Sequence, residues 1–216
     1  MIEILLIRHG ETDWNVEKRL QGHTDIDLNS EGVRQAAALG RALLNEPLDA
    51  IFSSDLKRAF RTAQAIAIPR GMHIHLDKGL RERCFGAFEG MIHPEIDARF
   101  PDEYAAWQRR DIDARYPQGK FHAETLREFS TRSLDAIMTL ASANGYRKVA
   151  VVTHGGVLDS VYRRAQNMSL EHPRDFDVLN AGINRVSWDG TKFQILKWAD
   201  VAHLSHPALD DSDNLA

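Results

Sequence analysis

Two histidines and two arginines follow three short apolar runs that lie far apart in the chain. Ile2 to Ile7 is almost continuously apolar, and Arg8-His9-Gly10-Glu11-Thr12 comes directly after it. Ala50 to Ser53 leads into Ser54-Asp55-Leu56-Lys57-Arg58, and Lys148 to Val152 leads into Thr153-His154-Gly155-Gly156. Short apolar runs of this kind read as strands buried on both faces, as in a parallel sheet. In open parallel sheets ligands gather beyond the carboxyl ends of the strands, so the three exits are expected to supply one pocket. That pocket is cationic although the chain carries a formal net charge of -4. A phosphate dianion suits it: guanidinium forks donate paired hydrogen bonds to phosphate, and an imidazole with its ordinary pKa near 6.5 is a nucleophile around neutrality.

Taken singly, each residue has a plainer reading. Arg8-His9 alone is an ordinary strand exit, Arg58 near a helix start opposes the dipole and is normally just solvated, and His154 before two glycines is often a turn. Glu82 between Arg81 and Arg83 reads by itself as a surface charge cluster. Their joint order along the chain is what separates them from those readings.

Arg8-His9-Gly10-Glu11-Thr12, Arg58 at a helix start, Leu80-Arg81-Glu82 with Gly86 and Glu89-Gly90, and Thr153-His154-Gly155 together resemble the histidine phosphatase superfamily, the phosphoglycerate-mutase-like group. The resemblance spans nearly the whole chain. It implies that His9 is the nucleophile that takes the phosphate, with Arg8, Arg58 and His154 around the equatorial oxygens. It implies that Glu82 is the general acid, protonating the leaving alkoxide and later deprotonating the water that attacks phosphohistidine. For that role the Glu82 carboxyl starts protonated, and Arg81 and Arg83, alternating along an extended segment, are expected to face away. Asn15, Gln21, Gly22 and Gly155 occupy positions that in the family line the phosphate or substrate side of the pocket.

Phosphatases and mutases of the group share this pocket. The stretch from Glu82 to His154 is shorter than in the cofactor-dependent phosphoglycerate mutases. Phe85 stands where those mutases usually have a tyrosine, and no lysine falls between Lys78 and Lys120. Glu124-Thr125 resembles the Glu-Ser of the phosphatase branch, whereas Trp107-Gln108-Arg109-Arg110 is similar to the paired arginines with which the mutases grip a carboxylate. The expected activity is a metal-independent phosphomonoesterase acting through phosphohistidine on small phosphorylated metabolites, without a cofactor. A cofactor-dependent phosphoglycerate mutase is the alternative. A non-catalytic phosphate-binding regulatory module on the same fold and a metal-dependent hydrolase stand as readings of other classes. His73 and His75 share a face of a predicted strand, but no third ligand follows at a recognisable spacing, so no metal site is assigned.

The elements that must position these residues follow from periodicity. Asn29-Ser30 caps a predicted helix whose buried stripe is Val33, Ala36, Ala37, Gly40, Leu43 and Leu44. A second helix carries Leu56, Ala59, Phe60, Ala63, Ile66 and Ala67, and a long third one carries Leu126, Phe129, Leu134, Ile137 and Leu140. Strands alternating with helices predict a three-layer α/β/α fold with a central, mostly parallel sheet. Asp189-Gly190 marks a hairpin near the end. About 86–122 is less periodic and holds Pro94, Pro101 and Pro117, so it reads as a small inserted cap, and the acidic tail from about 208 to 216 reads as mobile. The whole of 1–216 reads as a single domain.

Composition narrows the class. Hydrophobic residues make up 43% and charged residues 27% of the 216, ordinary globular values. The chain has no basic footprint for nucleic acid, no apolar segment long enough for a membrane span or signal core, and a single cysteine, Cys84. The expected partner is therefore a small phosphorylated metabolite in a cytoplasmic setting, with no nucleic acid and no membrane. A homodimer stays open, because an apolar stripe facing a partner reads like one facing the core.

Overall fold

The computed structural model describes residues 1–143 and 145–210. It is a six-stranded mixed sheet between two helical layers. The strands are β1 (Ile2–Arg8), β2 (Ala50–Ser53), β3 (Ile74–Leu76), β4 (Lys148–Thr153), β5 (Ile183–Trp188) and β6 (Phe193–Asp200), in the order β3-β2-β4-β1-β5-β6. β1 to β4 run parallel; β5 and β6 form an antiparallel hairpin along β1.

Alternation along β1 explains the layers. Leu5 and Ile7 face one side, where they meet Leu39, Leu43, Ala59, Ala63 and Ile66. These come from α2 (Ser30–Ala42), the turn after it, and α3 (Lys57–Ala67). Ile4 and Leu6 face the other side, against Phe129, Ile137, Leu140, Val157 and Val161 of α6 (Leu126–Ser142) and α7 (Gly155–Gln166). A strand covered twice must be apolar at every position, which is why β1 and β4 read as continuous runs.

The expected stripe of α2 is rotated. Gly32, Gln35, Ala36, Leu39 and Gly40 face inward, while Val33 and Leu44 are half exposed. A polar residue turns inward because the Gln35 carboxamide oxygen accepts the backbone N–H of Glu11 at 2.9 Å. That bond fixes the turn after β1.

The segment expected as a cap contains two helices that periodicity missed, α4 (His93–Arg99) and α5 (Pro101–Gln108). Pro94 and Pro101 sit in their first turns, where the missing N–H costs nothing, so residues that read as breakers are starters. Phe85, Phe88, Ile96, Trp107, Tyr116 and Ala123 form a separate small core with Leu20 from the loop after α1 (Asp13–Val16).

The tail divides. Residues 211–216 lie outside the described residues, but Leu209 and Asp210, expected to be mobile, are tied down. The Leu209 carbonyl accepts Asn180 N–H at 2.9 Å, and the Asp210 carboxylate accepts Val178 N–H at 2.8 Å.

Candidate active site

Strand register brings the three exits level. Arg8 pairs with Thr153, and Ser53 with Val152, so His9, Ser54 and His154 emerge side by side at the carboxyl edge of the sheet. The backbone N–H of His9 donates to Thr153 O at 3.0 Å. The His9 and His154 rings meet edge-on, with centroids 5.2 Å apart.

His9 is buried, and its Nδ1 lies 2.7 Å from the carbonyl oxygen of Gly10. A carbonyl only accepts, so Nδ1 carries the proton and Nε2 keeps the lone pair. Burial first, then the guanidinium groups of Arg58 and Arg8, hold this imidazole well below its usual range. It is therefore neutral at pH 7 with one defined nucleophilic nitrogen. His154 is likewise held neutral by burial and by Arg58. Its Nε2 lies 2.8 Å from Ser54 Oγ, and its buried Nδ1 has no hydrogen-bond partner among the described residues.

Both rings regain an ordinary pKa near 6.5 on unfolding, so below that value the unfolded chain binds more protons than the folded one. Their contribution to stability is complete above about pH 6.5 and is lost as the pH falls through it. Urea midpoints should accordingly drop between about pH 7 and about pH 5.5. A flat midpoint over that interval would contradict two buried neutral imidazoles.

Arg58, in the first turn of α3, is fully buried. It donates from Nη1 to Thr24 O at 3.0 Å and from Nη2 to Gly22 O at 2.8 Å, while its Nε has no acceptor among the described residues. Burial lowers it to about 10, so it stays charged at neutral pH. One hydroxyl couples it to the turn after β1: Thr62 Oγ1 accepts Gly10 N–H at 3.0 Å and donates to Arg58 O at 2.8 Å. Arg8 donates from Nη1 to Val178 O at 2.7 Å. Asn15 caps α1 reciprocally with Thr12, its side-chain oxygen accepting Thr12 N–H at 3.0 Å.

Gly22 has φ +53, and a Cβ there would overlap the Glu89 carboxylate. Glu89 accepts from His23 N at 3.0 Å, Thr24 Oγ1 at 2.6 Å and Phe85 N at 3.3 Å. A single carboxylate thus ties the 22–24 loop to the segment that bears Glu82.

Glu82 is buried, with Oε1 accepting Arg83 N–H at 2.7 Å and Oε2 accepting Gly156 N–H at 3.0 Å. A Cβ at Gly156 would collide with Oε1, so the second glycine after His154 serves this approach. Arg81 turns to Asp55 in a two-pronged ion pair at 2.6 Å, and Arg83 donates to Glu124 O while lying 4.6 Å above the Tyr116 ring. Arg81 is thus engaged away from the Glu82 carboxylate, whereas Arg83 lines the same wider cleft as Glu82, so the expectation from alternation holds for Arg81 alone.

Arg8, His9, Asn15, Gln21, Gly22, Arg58, Glu82 and Gly155 line one cavity of about 280 Å³, together with Arg19 and Phe85. Of the residues predicted for the site, only His154 is not on its wall: it stands fully buried against His9. A wider cleft of about 610 Å³ shares Glu82 and Phe85 with this cavity and extends past Trp107, Arg110, Tyr116, Asp159 and Arg174. Trp107 stacks on Phe85 and Phe88, so it is both packing and wall; Arg109 is exposed, whereas Arg110 lines the cleft.

Sequence reasoning missed Ser54, Thr62, the clamping role of Glu89, and Arg174; the doubled glycine at 155–156 was the one available signal for a close approach. Burial pushes the Cys84 thiol up to about 12, which leaves it protonated and unreactive. Among the described residues no three His, Cys, Asp or Glu side chains converge as a metal site, and no helix is long and apolar enough to cross a membrane.

Residues 4–201 match the family described as histidine phosphatase superfamily (branch 1), and the chain belongs to that superfamily. It is 38% identical over 208 residues to a metal-independent phosphoserine phosphatase of Arabidopsis thaliana, covering 94% of this chain and 83% of that one. It is 37% identical over 205 residues to phosphoglycerate mutase-like protein 4 of the same plant, covering 94% and 86%. Among solved structures it is similar to a phosphoserine phosphatase mutant (H9A) from Entamoeba histolytica in complex with phosphoserine. There the TM-score is 0.80 at 26% identity, covering 94% of this chain and 100% of that one.

Proposed function

We propose that the chain is a metal-independent phosphomonoesterase that works through a phosphohistidine on Nε2 of His9. The observation that carries this reading is a neutral, buried imidazole whose Nδ1–H is committed to Gly10 O, set in a cavity walled by Arg8, Arg58 and Glu82. Nε2 attacks phosphorus as the bond from phosphorus to the ester oxygen breaks, and the protonated Glu82 carboxyl passes its proton to that oxygen. The positive charge that develops on the ring is met by the Gly10 carbonyl. Arg8 and Arg58, already fixed, stabilise the charge spread over the equatorial oxygens without reorganising. In the second half Glu82 takes a proton from water, the hydroxide attacks phosphorus and the nitrogen–phosphorus bond breaks. Orthophosphate leaves with His9 neutral and Glu82 protonated again.

Asn15, Gln21, Gly22 and Gly155 complete the phosphate side in this reading, and His154 packs edge-on against the His9 ring. The wider cleft, which shares Glu82 and Phe85 with the phosphate cavity, takes the leaving group. Hydrolysis is favoured over mutase chemistry by the kinship with a metal-independent phosphoserine phosphatase and by the apolar Phe85 between the two cavities. A cofactor-dependent phosphoglycerate mutase is the second reading, favoured by Arg110 in the cleft and by the mutase-like relative.

The test is a panel of small phosphomonoesters, phosphoserine and phosphoglycerates included, assayed for orthophosphate with and without chelator. Turnover that survives chelator on at least one ester is expected. Failure to release phosphate from any of them, with interconversion of phosphoglycerates once a bisphosphoglycerate primer is added, would overturn the reading.

A further inference from the structure

We infer that Leu209 and Asp210 form a positioning element for both cavities, holding Arg8 for the phosphoryl group and Arg174 for the leaving group. The inference rests on the phosphatase reading above.

Arg8 closes β1, yet its guanidinium is aimed by residues at the far end of the chain. Nη1 donates to Val178 O at 2.7 Å and to Leu209 O at 3.3 Å. The same Leu209 oxygen accepts Asn180 N–H at 2.9 Å, and Asn180 Nδ2 donates to the carbonyl of His9 at 3.0 Å. Asp210 completes the arrangement: Oδ1 accepts Val178 N–H at 2.8 Å, and Oδ2 accepts Arg174 Nη2 at 3.1 Å. Val178 is thus gripped on both sides, by Arg8 through its oxygen and by Asp210 through its nitrogen. The Arg174 side chain is 3% exposed and lines the wider cleft.

The physical consequence concerns direction more than charge. A guanidinium is a rigid planar fork, so acceptors that fix one edge also fix where the other edges point. Carbonyls at Val178 and Leu209 set that plane for Arg8, and the Asp210 carboxylate does the same for a buried Arg174. Phosphate affinity depends on such preorganisation, because a donor that must first be ordered gives back part of what it gains. Asp210 is not on the wall of the cavity that holds His9 and Glu82, so its loss should weaken binding without slowing the bond-breaking steps. Ordinary packing of a chain end makes the opposite forecast: lower stability, with unchanged affinity in whatever protein folds.

Asp210→Ala and Asp210→Glu should be compared with wild type by orthophosphate titration in a calorimeter and by steady-state kinetics on one cleaved ester. Asp210→Ala is expected to bind orthophosphate about tenfold more weakly and to raise KM by about the same factor, the worth of one charge-assisted hydrogen bond, with kcat within about twofold. Asp210→Glu should recover most of the affinity. A folded Asp210→Ala protein with wild-type affinity and KM would overturn the inference. Should that variant fail to fold, Asp210→Asn keeps an acceptor for Val178 while removing the carboxylate charge that faces Arg174; an unchanged KM for the ester in it would overturn the inference equally. Wild-type protein that takes up no orthophosphate would overturn the phosphatase reading, and this inference with it.

Discussion

Replacing His9 with alanine is expected to reduce phosphate release by a factor on the order of 10⁴ or more, as loss of a covalent nucleophile does elsewhere. The expectation follows from the placement of the ring. Its Nε2 is the one wall nitrogen with a free basic lone pair: the guanidinium nitrogens of Arg8, Arg58 and Arg19 are donors only, and the amides of Asn15 and Gln21 are weak nucleophiles. His154 is not a replacement, because its ring is fully buried and its Nε2 is engaged with Ser54 Oγ at 2.8 Å. The arginines remain in the variant, so orthophosphate should still bind within about tenfold of wild type, its charge-assisted donors being intact. A variant that loses binding and turnover together would mean that the ring organises the pocket without attacking.

The second large effect concerns Glu82. Both of its oxygens accept a backbone N–H, from Arg83 and from Gly156, so a glutamine would set its amide nitrogen against one of those donors. Glu82→Ala is the cleaner variant. On an alkyl phosphate, turnover should fall by roughly 10² to 10⁴, the usual range for losing a general acid. On a nitrophenyl ester, whose leaving oxygen needs no proton, the phosphorylation step should fall by no more than about tenfold, because the departing anion is already stable. The water step would then limit turnover, and phosphoenzyme should accumulate. Equal losses on the two esters would remove Glu82 from the acid role and leave it as a prop for the 82–85 segment.

How much of this was legible in the sequence depended on the distance between cause and effect. Residue types at strand exits announced the site, since a run buried on both faces must be apolar and must end where the chain meets solvent or ligand. Arg8, His9, Arg58 and Glu82 followed from that, together with the family resemblance. The register that levels Arg8 with Thr153 and Ser53 with Val152 could only be seen in the fold. Polar residues with distant partners leave no local signal: the apolar stripe of α2 omits Gln35, whose bond to Glu11 belongs to another element. Thr62 and Glu89 were silent for the same reason. Pro94 and Pro101 were read as interruptions, although proline is as good at starting a helix as it is bad at continuing one. Leu209 and Asp210 looked like the beginning of an acidic tail, since nothing local indicates that Arg8 and Arg174 wait for them.

The sharpest test mixes wild-type protein with a ³²P-labelled monoester that it cleaves, stops the reaction within milliseconds, and follows label on the protein through acid and base. Label that is lost in acid, kept in base, and absent from His9→Ala is the predicted result. Rapid release of orthophosphate with no protein-bound label at any time point, or label that persists in the His9→Ala protein, would contradict it.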